Sequence, residues 1–568
     1  MMDPRDNKSV VEEIFFLLWR FGVKCIVCSP GSRNALLIQQ AKEVGKYEME
    51  VVVDERSAAF VALGKAMVTR RPVALICTSG TALLNYAPAV AEAYYQGIPL
   101  IVLSADRPEE WIDQDDSQTI RQPGVLANFV KASYDIRGNE ADNNYLWYAN
   151  RMVNEGLLKA KAPKQGPVHF NIHLKGNPIP ASPLRRDWVR DIYIERSEQK
   201  LSFSKIRDYA DTVATWRIMV VAGFMPPDNK MQRAFATLEA LPNICIMAET
   251  VSNLHLPPEC YMVDTALFPL EGLEKQNLKP DLIISVGGAL ISRKLKEYLR
   301  KHPPKSHWAV GYTDNLIDCF QSLSVKLEVD PASFLHSFAK RLQRIYQERK
   351  ISILYRSEWN ALRRETIGLI DSLMWSDLKA LHIVFNALPP STNLFLGNGT
   401  SVRYGQIIPF RLPHAVYANR GVSGIEGCTS TAIGASLGYD GITCLVTGDM
   451  SFGYDLGGLA CGLADNRLRI VVLDNRGGDI FRFIGATSTM EDIREEFLCA
   501  DKEPPVETLA DAYGFEYFYA DNETDLKNQL EEFFTDSFAP KIFHLSTRRS
   551  NNSGILSDFL NNKKKDPN

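Results

Sequence analysis

Short apolar runs alternate with longer amphipathic stretches over most of the chain. Helical periodicity marks residues 9–21 and 56–68 near the N-terminus. Between and after these helices, β-branched and other apolar residues form short runs at 25–28, 51–53, 73–77, 100–103 and 168–172. Strands that alternate with helices predict a mostly parallel sheet with helices on both faces.

The same alternation occurs twice more along the chain. A second group of apolar runs lies at 218–221, 244–247, 282–286 and 307–310. After a polar helical zone at 334–364, a third group lies at 394–396, 416–418, 442–446, 470–473 and 541–545. A proline-rich stretch at 178–183 predicts a linker after the first group. The predicted fold class is α/β, with three doubly wound, mostly parallel-sheet domains in series at 1–180, 195–350 and 360–560.

Composition and charge argue against several classes of protein. The chain has 568 residues, of which 45% are hydrophobic and 23% are charged, as in ordinary globular proteins. Its formal net charge of −4 argues against nucleic acid and acidic membrane surfaces as partners. No apolar run is long enough to span a bilayer, and the apolar stretch at 14–19 is too short for a signal peptide. We therefore expect a cytoplasmic protein without membrane insertion.

The cysteines and histidines form no strong metal or redox motif. Ten cysteines are few for a disulfide scaffold of this length. Cys25 and Cys28 have Cys-x-x-Cys spacing, but they lie inside a strand-like run without a second pair, which favours a core strand. His169 and His173 fall on one face of a predicted strand, where two histidines without a further ligand are more often structural than metal-binding.

Two apolar runs near the C-terminus end in side chains that carry oxygen. The run at 442–446 leads to Asp449, and the run at 470–473 leads to Asn475. The spacing fits one right-handed strand–helix–strand crossover, so both ends reach the same edge of the sheet. A carboxylate and an amide oxygen at this edge suit a hard divalent cation. The N–H groups of the helix that begins near Met450 suit a diphosphate.

Polar loops follow four of the apolar runs in the first group. Ligands of doubly wound sheets bind beyond the carboxyl ends of the strands, so we expect these loops to cluster. Glu55 follows the run at 51–53 and opens the helix predicted at 56–68. By itself, this position is typical of a helix-start carboxylate that the helix dipole favours. The four loops are 29–33, 54–56, 78–81 and 104–108.

A series of motifs covers nearly the whole chain in a specific order. The motifs are SPGSR, DERSA, TSGTA, ADRP, SQTIRQPG, GN-x-x-x-VR, NRGVSGIEG, GDMSF and LDNRGGDIF. In this order they resemble the family of 2-succinyl-5-enolpyruvyl-6-hydroxy-3-cyclohexene-1-carboxylate synthases, which are thiamine-diphosphate enzymes of menaquinone biosynthesis. The resemblance is weakest in the middle, where only the motif at 292–295 matches. Two residues depart from the thiamine-diphosphate signature, since Met450 replaces a glycine and Asp474 replaces an asparagine.

The resemblance implies a pyrimidine-binding, a central and a diphosphate-binding domain, with thiamine diphosphate and Mg²⁺ or Mn²⁺ as cofactors. It implies decarboxylation of 2-oxoglutarate, followed by addition of the four-carbon fragment to isochorismate. Glu55 resembles the glutamate that hydrogen-bonds the aminopyrimidine ring and promotes removal of the thiazolium C2 proton. Asp449, Asn475 and the backbone carbonyl of Gly477 resemble the metal ligands. The other implied cofactor-binding positions are Ser423, Ile425, Gly448, Met450, Ser451, Gly478, Ile480 and Phe481.

Both implied substrates are dicarboxylates, for which arginine is well suited because its planar fork donates two parallel hydrogen bonds. The basic positions of the family correspond to Arg33, Arg107, Arg293, Lys294, Arg403 and Arg420. We assign Arg403 to the distal carboxylate of 2-oxoglutarate, and Ser32 and Gln118 to neutral hydrogen bonds with substrate. Two further positions depart from the family pattern, since Gly399 stands where we expect a serine and Ser117 stands where an asparagine is usual.

The resemblance also implies a homodimer or homotetramer with active sites between subunits. The runner-up class is another thiamine-diphosphate enzyme, similar to acetohydroxyacid synthases or 2-oxoacid decarboxylases, whose smaller and less charged substrates need fewer arginines. A degenerate member that binds a ligand without turnover is a further alternative, against which Glu55, Asp449 and Asn475 argue. The sequence leaves open the metal preference and the choice between dimer and tetramer.

Overall fold

The computed structural model describes residues 10–140, 142–175, 189–197, 199–270, 278–349, 351, 353–483 and 485–561. The linker predicted at 178–183 lies outside these residues. Backbone contacts divide the chain into two compact units. The first unit contains residues up to 196 together with 421–440 and 454–468, and the second contains 197–420, 441–453 and 469 onward.

Six strands of the first unit form one sheet: β1 Cys25–Cys28, β2 Glu48–Val51, β3 Val73–Cys77, β4 Leu100–Asp106, β5 Ser133–Arg137 and β6 Val168–His173. Their order is β2-β1-β3-β4-β6-β5, and neighbouring strands are parallel. The helices are α1 Val10–Phe21, α2 Ala35–Val44, α3 Glu55–Thr69, α4 Thr81–Asn85, α5 Ala87–Gln96 and α6 Asn143–Ala160. Short 3-10 turns lie at Glu109–Trp111 and Ala127–Phe129.

Five strands form the first sheet of the second unit: β7 Ile218–Ala222, β8 Ile244–Ala248, β9 Leu282–Val286, β10 Ser306–Val310 and β11 Val325–Leu327. Their order is β11-β10-β9-β7-β8, again with parallel neighbours. The helices are α7 Phe203–Val213, α8 Asn229–Glu239, α9 Val263–Leu267, α10 Arg293–Lys301, α11 Pro331–Glu348 and α12 Tyr355–Ile367. Short 3-10 turns lie at Thr250–Ser252, Pro258–Cys260 and Phe268–Leu270.

The third sheet contains β12 Asn393–Leu396, β13 Ala415–Tyr417, β14 Thr443–Gly448, β15 Leu468–Asp474, β16 Glu516–Ala520 and β17 Lys541–Ser546, in the order β13-β12-β14-β15-β17-β16. The helices are α13 Asp377–Ala387, α14 Ser401–Tyr404, α15 Cys428–Ser436, α16 Asp449–Tyr454, α17 Leu456–Ala460, α18 Ile480–Phe483, α19 Gly485–Ser488, α20 Glu491–Ile493, α21 Val506–Tyr513, α22 Glu523–Phe534 and α23 Asn552–Leu560. A 3-10 turn lies at Ile370–Ser372 and a π-helical turn at Arg494–Leu498.

The three parallel-sheet α/β arrangements confirm the predicted fold class, while the residue limits of the domains stay a prediction. The strand expected at 51–53 instead lies at Glu48–Val51, because the chain bends at Val53 and Asp54, and Asp54 caps α3. The sequence analysis missed β5, β11 and β16. Each of these strands lies at the edge of its sheet and carries polar or partly exposed residues, so its apolar pattern is weak.

Helices α3 and α15 cross at backbone contact inside the first unit. A Cβ atom added to Gly64 would lie 1.9 Å from the carbonyl oxygen of Thr431. A Cβ atom added to Gly434 would lie 1.9 Å from the carbonyl oxygen of Val61. Only glycine permits this approach, so the two glycines fix the position of α15 and of the loop that precedes it.

Two expectations about membranes and cysteines can be compared with the described residues. Within them, no helix combines the length and the apolar character that crossing a membrane requires. The cytoplasmic location stays a prediction. All ten cysteines are unbonded, and Cys25 and Cys28 lie in the fully buried strand β1, which confirms the core-strand interpretation.

Candidate active site

The loops after β1, β3 and β4 lie side by side at the carboxyl edge of the first sheet, where these strands are consecutive. A Cβ atom at Gly31 would lie 2.3 Å from the Cβ atom of Thr78, so this approach requires glycine. A Cβ atom at Gly80 would lie 3.3 Å from the backbone of Gln118. The N–H of Gly80 donates to Oε1 of Gln122 at 2.7 Å. The clustering of these loops agrees with the prediction from the sequence.

Arg33 and Arg107 occupy this edge. Nη1 of Arg33 donates to the carbonyl oxygen of Leu174 at 3.4 Å. Burial, and next the charge of Arg107, lower the pKa of Arg33. Nη1 of Arg107 lies 2.9 Å from a carboxylate oxygen of Asp116. Two neighbouring guanidinium groups at a sheet edge form a positive site that suits a carboxylate.

The predicted neutral contacts lie in the same region. Ser32 is exposed and directly precedes Arg33. Gln118 has a φ of +53°, which is uncommon for a residue other than glycine. The backbone carbonyl of Ser117 accepts a hydrogen bond from Nη2 of Arg107 at 2.9 Å. This contact does not depend on the side chain at position 117, so the departure from asparagine leaves this anchor of Arg107 in place.

Glu55 is the first residue of α3 and is half-buried. The helix is capped by the preceding residue, since Oδ1 of Asp54 accepts the N–H groups of Arg56 at 2.9 Å and Ser57 at 3.4 Å. Nδ2 of Asn85 lies 3.5 Å from Oε2 of Glu55. Asp54 therefore performs the capping, and the position of Glu55 in the first turn stays compatible with a carboxylate that the helix dipole favours.

The loop at 421–425 is anchored in the first unit by Glu92 of α5. The carboxylate of Glu92 accepts the N–H groups of Gly421 at 2.6 Å and Val422 at 2.7 Å. Ser423 has a φ of +73°, and Ile425 is half-buried. This anchor cannot be predicted from the sequence, because Glu92 lies on an ordinary helix 329 residues before its partner Gly421.

Asp449 and Asn475 follow the neighbouring strands β14 and β15, as the crossover spacing predicts. Oδ2 of Asp449 accepts the N–H of Gly477 at 2.8 Å and the N–H of Asn475 at 3.2 Å. Oδ1 accepts the N–H of Met450 at 2.7 Å. Burial raises the pKa of Asp449 to about 6, although these N–H groups oppose the rise.

Asn475 is oriented by Asp377, a residue that the sequence analysis missed. Nδ2 of Asn475 donates to Oδ2 of Asp377 at 2.7 Å. Thr547 donates its hydroxyl to the other oxygen of the same carboxylate. Burial, and next the charge of Asp479, raise the pKa of Asp377 to about 7. The amide of Asn475 therefore presents its oxygen on the side away from Asp377, which is the orientation that a hard cation requires.

The two departures from the thiamine-diphosphate signature have local explanations. Oδ2 of Asp474 lies 3.2 Å from Nε2 of His544, and Oδ1 lies 2.9 Å from Nη1 of Arg548. Strand alternation directs this side chain away from that of the following residue. The sulfur of Met450 lies 2.8 Å from the position of a Cβ atom at Gly478, so the two residues pack together. Neither departure removes an oxygen donor.

Glycines shape the loops around Asp449. Gly477 has a φ of +72°, and a Cβ atom there would lie 1.9 Å from the carbonyl oxygen of Ala500. Gly448 ends β14, and a Cβ atom there would meet nothing within 4 Å. Ser451 is buried in the first turn of α16. Two half-buried apolar residues begin α18, namely Ile480 and Phe481.

The donor set at this edge fits a divalent cation bound to a diphosphate. Asp449 is 6% exposed, and a cation would offset the cost of burying its charge. The side-chain oxygen of Asn475 and the carbonyl oxygen of Gly477 add neutral donors of the kind that Mg²⁺ and Mn²⁺ accept. The open space beside Gly448 allows a bulky anion to approach the backbone.

Arg403 and Arg420 lie near each other in the second unit. Nη1 of Arg403, on α14, donates to the carbonyl oxygen of Gly399. Nη1 of Arg420 donates to Oδ1 of Asn398 at 2.9 Å. Burial, and next the charge of Arg420, lower the pKa of Arg403. Gly399 has a φ of +108°, where a serine would be strained, which explains the departure from the family pattern at this position.

Arg293 and Lys294 begin α10 but differ in their surroundings. The side chain of Arg293 is 78% exposed, and its Nε lies 2.7 Å from Oε1 of Glu297. The charge of Lys294, like that of Arg403, lowers the pKa of the buried Asp264, although burial raises it overall. Lys294 therefore interacts electrostatically with the buried Asp264, while the side chain of Arg293 is directed towards solvent.

The histidines predicted to be structural lie beneath Arg107. His169 contacts two serine hydroxyls, and burial lowers its pKa to about 4. Burial also opposes the charge of His173, but a 2.9 Å contact between its Nε2 and Asp135 outweighs it and raises the pKa to about 9. Nδ1 of His173 bonds the carbonyl oxygen of Arg107. Glu109, Asp135 and His173 lie close enough together to bind one cation, but Nε2 of His173 already forms a contact with Asp135.

Comparison with known protein families agrees with this geometry. Residues 8–125 match the family described as thiamine pyrophosphate enzyme, N-terminal TPP binding domain. Residues 397–543 match thiamine pyrophosphate enzyme, C-terminal TPP binding domain. The parallel sheets, the carboxylate and amide at adjacent strand ends, and these two matches define a thiamine-diphosphate-dependent enzyme.

Curated relatives identify the family within this class. A 2-succinyl-5-enolpyruvyl-6-hydroxy-3-cyclohexene-1-carboxylate synthase from Porphyromonas gingivalis is 38% identical over 98% of this chain and 97% of its own length. Synthases of the same name from Cytophaga hutchinsonii and Bacteroides fragilis are 35% and 33% identical, over 97% and 98% of this chain and 98% and 99% of their own lengths. The chain belongs to the 2-succinyl-5-enolpyruvyl-6-hydroxy-3-cyclohexene-1-carboxylate synthase family.

Proposed function

We propose that the protein decarboxylates 2-oxoglutarate and adds the resulting four-carbon fragment to isochorismate. The products are CO₂ and 2-succinyl-5-enolpyruvyl-6-hydroxy-3-cyclohexene-1-carboxylate, in menaquinone biosynthesis. The observation that carries this proposal is the presence of two arginine pairs beside the strand ends, Arg33 with Arg107 and Arg403 with Arg420. Burial and the neighbouring cation lower the pKa of Arg33 in the first pair and of Arg403 in the second. Two dicarboxylate substrates supply the negative charge that these pairs require.

In this proposal, residues from both the N-terminal and the C-terminal parts of the chain bind the cofactor. Thiamine diphosphate, when bound, supplies the nucleophilic carbon and the electron sink for decarboxylation. Glu55 hydrogen-bonds the aminopyrimidine ring, as its match to the family's glutamate suggests, and its carboxylate does not serve as the helix cap. Ser423 and Ile425 shape the cofactor pocket, and Ile480 and Phe481 line the apolar wall beside the reacting carbon.

We assign the metal to the loops that follow β14 and β15. Asp449 and Asn475 provide side-chain oxygens, and Gly477 provides its backbone carbonyl. Mg²⁺ is the proposed ion, with Mn²⁺ as the alternative, because all three donors are oxygens. The residues that surround the diphosphate, by the family resemblance, are Gly448, Met450, Ser451 and Gly478.

We also propose that the active protein is a homodimer or homotetramer with its active sites between subunits. The pyrimidine-binding, central and diphosphate-binding domains then correspond to residues 1–180, 195–350 and 360–560. In this arrangement Glu55 and Asp449 of one site come from different subunits. Light scattering combined with activity measurements tests the assembly, and a fully active monomer would show it to be wrong.

The function is tested by measuring CO₂ release and product formation from 2-oxoglutarate and isochorismate, with and without thiamine diphosphate and Mg²⁺. We expect product only when both cofactors and both substrates are present. Preference for pyruvate over 2-oxoglutarate would instead favour the enzyme class similar to acetohydroxyacid synthases. Cofactor binding without turnover of either 2-oxoacid would favour a degenerate binding protein.

A further inference from the structure

The loop after β8 joins the segments that carry three of the basic residues. Its first residue, Glu249, is fully buried, and its carboxylate accepts hydrogen bonds from the next strand's loop. Oε1 lies 2.6 Å from the N–H of Ile291 and 2.8 Å from the N–H of Ser292. These two residues directly precede Arg293 and Lys294, so Glu249 fixes the start of α10.

The same loop forms hydrogen bonds with the segments that carry Arg403 and Arg420. The N–H of Thr250 donates to Oε1 of Gln406 at 3.2 Å, and Nε2 of Gln406 donates back to the Thr250 hydroxyl at 2.6 Å. Gln406 lies three residues after Arg403. Three residues after Thr250, Asn253 exchanges a pair of hydrogen bonds with the backbone of Val416, at 2.6 and 3.0 Å. Val416 belongs to β13, the strand that leads to the second arginine.

A second buried carboxylate completes this arrangement. The hydroxyl of Ser292 donates to Oδ1 of Asp264 and accepts the N–H of Leu295 at 3.0 Å, so Ser292 also caps α10. Burial raises the pKa of Glu249 to about 7, while its N–H partners and the charge of Arg420 oppose the rise. Asp264 is likewise buried, and the charge of Arg403 opposes its protonation. The two acids therefore lie close enough to the arginines to interact electrostatically with them.

We propose that Glu249 and Asp264 are positioning residues that hold Lys294, Arg403 and Arg420 at a fixed spacing for a substrate carboxylate. This inference rests on the proposed function. Three cations on three separate elements repel one another, and nearby carboxylates offset part of this repulsion. The hydrogen bonds of Glu249 and Asp264 fix the start of α10. Thr250 and Asn253, on the loop that Glu249 opens, bond Gln406 and Val416 in the segments that carry the two arginines. The central sheet, which carries no cofactor-binding residue in our assignment, then determines how the dicarboxylate binds.

The test compares Glu249→Gln and Asp264→Asn with the wild type in the cofactor-loaded enzyme. We expect the KM for 2-oxoglutarate to rise roughly 10-fold or more, since a hydrogen bond to a charged group contributes about 1.5–3 kcal/mol. The rate of thiazolium C2 proton exchange, measured by NMR without substrate, should stay at the wild-type value. Asp281→Asn is the matched control, because Asp281 is a nearly buried acid of the same sheet that pairs with Arg217 and Lys305 before β9.

A second pair of variants separates positioning from loss of stability. Ser292→Ala removes the hydroxyl that bonds Asp264, while Ser292→Thr retains a hydroxyl and should restore the wild-type KM. This pair decides the question if the acid variants do not fold. An unchanged KM in Ser292→Ala, or an equal KM increase in Asp281→Asn, would overturn the inference. A wild type that turns over pyruvate but not 2-oxoglutarate would instead overturn the proposed function.

Discussion

Replacing Arg403 with alanine tests the assignment of the donor substrate most directly. Arg403 is half-buried on α14, and its one described hydrogen bond goes to a neutral acceptor, the carbonyl oxygen of Gly399. Burial and the neighbouring charge of Arg420 both disfavour the protonated guanidinium, as the direction of its pKa shift indicates. A carboxylate that binds here relieves both costs, so its affinity depends strongly on Arg403.

The size of the effect follows from the kind of contact that is lost. A hydrogen bond to a charged group contributes about 1.5–3 kcal/mol, which corresponds to a loss of roughly 10- to 100-fold in kcat/KM for 2-oxoglutarate. Pyruvate has no distal carboxylate, so Arg403→Ala should reduce its kcat/KM much less. Arg403→Lys keeps the charge but not the planar fork, and we expect an intermediate loss.

Side-by-side steady-state kinetics with both 2-oxoacids measures this difference. Arg341→Ala is a suitable control, because Arg341 is an arginine of the same unit whose Nε and Nη2 already bind Asp211 at 2.9 and 3.0 Å. The control should behave as the wild type with both substrates. Equal losses on 2-oxoglutarate and pyruvate in Arg403→Ala would refute the assignment of this arginine to the distal carboxylate.

Three further predictions concern the cofactor and the folded state. Gly477→Ala should lower the affinity for metal and thiamine diphosphate in calorimetry, because its Cβ atom would lie 1.9 Å from a backbone oxygen. Gly514→Ala is the control, since Gly514 has a similar φ of +73° but open space around it, and this variant should lose only about 1 kcal/mol of stability. Glu55→Gln should keep the fold but slow C2 proton exchange roughly 10²- to 10⁴-fold by NMR, and a wild-type rate would exclude its role. His173→Gln should destabilise the protein by about 1–3 kcal/mol near neutral pH, because it removes the pairing of His173 with Asp135. The pKa of His173 is raised to about 9, so this pairing stabilises the folded state fully below about pH 6.5, and its contribution is lost progressively as the pH rises to 9. Denaturant unfolding at pH 6.5 and at pH 9 measures the free energy of unfolding of the variant and of the wild type. A difference between the two proteins that is the same at both pH values would contradict the prediction.

The sequence predicts the central strands of each sheet well, because they are buried on both faces. Strand β3, for example, consists of apolar residues that are all buried, and its predicted limits are confirmed. Strand β5 has the sequence Ser-Tyr-Asp-Ile-Arg, with one fully buried residue at a sheet edge. Its Asp135 bonds His173 in a polar network, while its Ile136 is buried in the core. Hydrophobic periodicity identifies such a strand poorly, because only one of its five residues is fully buried.

Some residues of the candidate site can likewise be predicted from the sequence, and others cannot. Loops that follow apolar strands can be read from the sequence, and these loops contain Arg33, Asp449 and Asn475. The residues that orient them cannot be read in this way. Asp377 begins an ordinary helix, yet it holds the amide of Asn475 from 98 positions away. Glu249 follows a strand, but nothing in the sequence indicates that its partners are backbone N–H groups 42 and 43 positions later.

The perturbed charges explain why these supporting residues are needed. Near the proposed metal, burial raises the pKa of Asp449 to about 6 and that of Asp377 to about 7, so the folded protein holds negative charge at a cost. Near the proposed substrates, burial and mutual repulsion lower the pKa of Arg403. Hydrogen bonds hold each of these charges in place: Asp449 accepts the N–H of Gly477, Asp377 accepts from Asn475, and Arg403 donates to the carbonyl oxygen of Gly399. In the proposed function, ligands of the opposite sign offset this cost on binding, which contributes affinity for the metal near Asp449 and for carboxylates near Arg403.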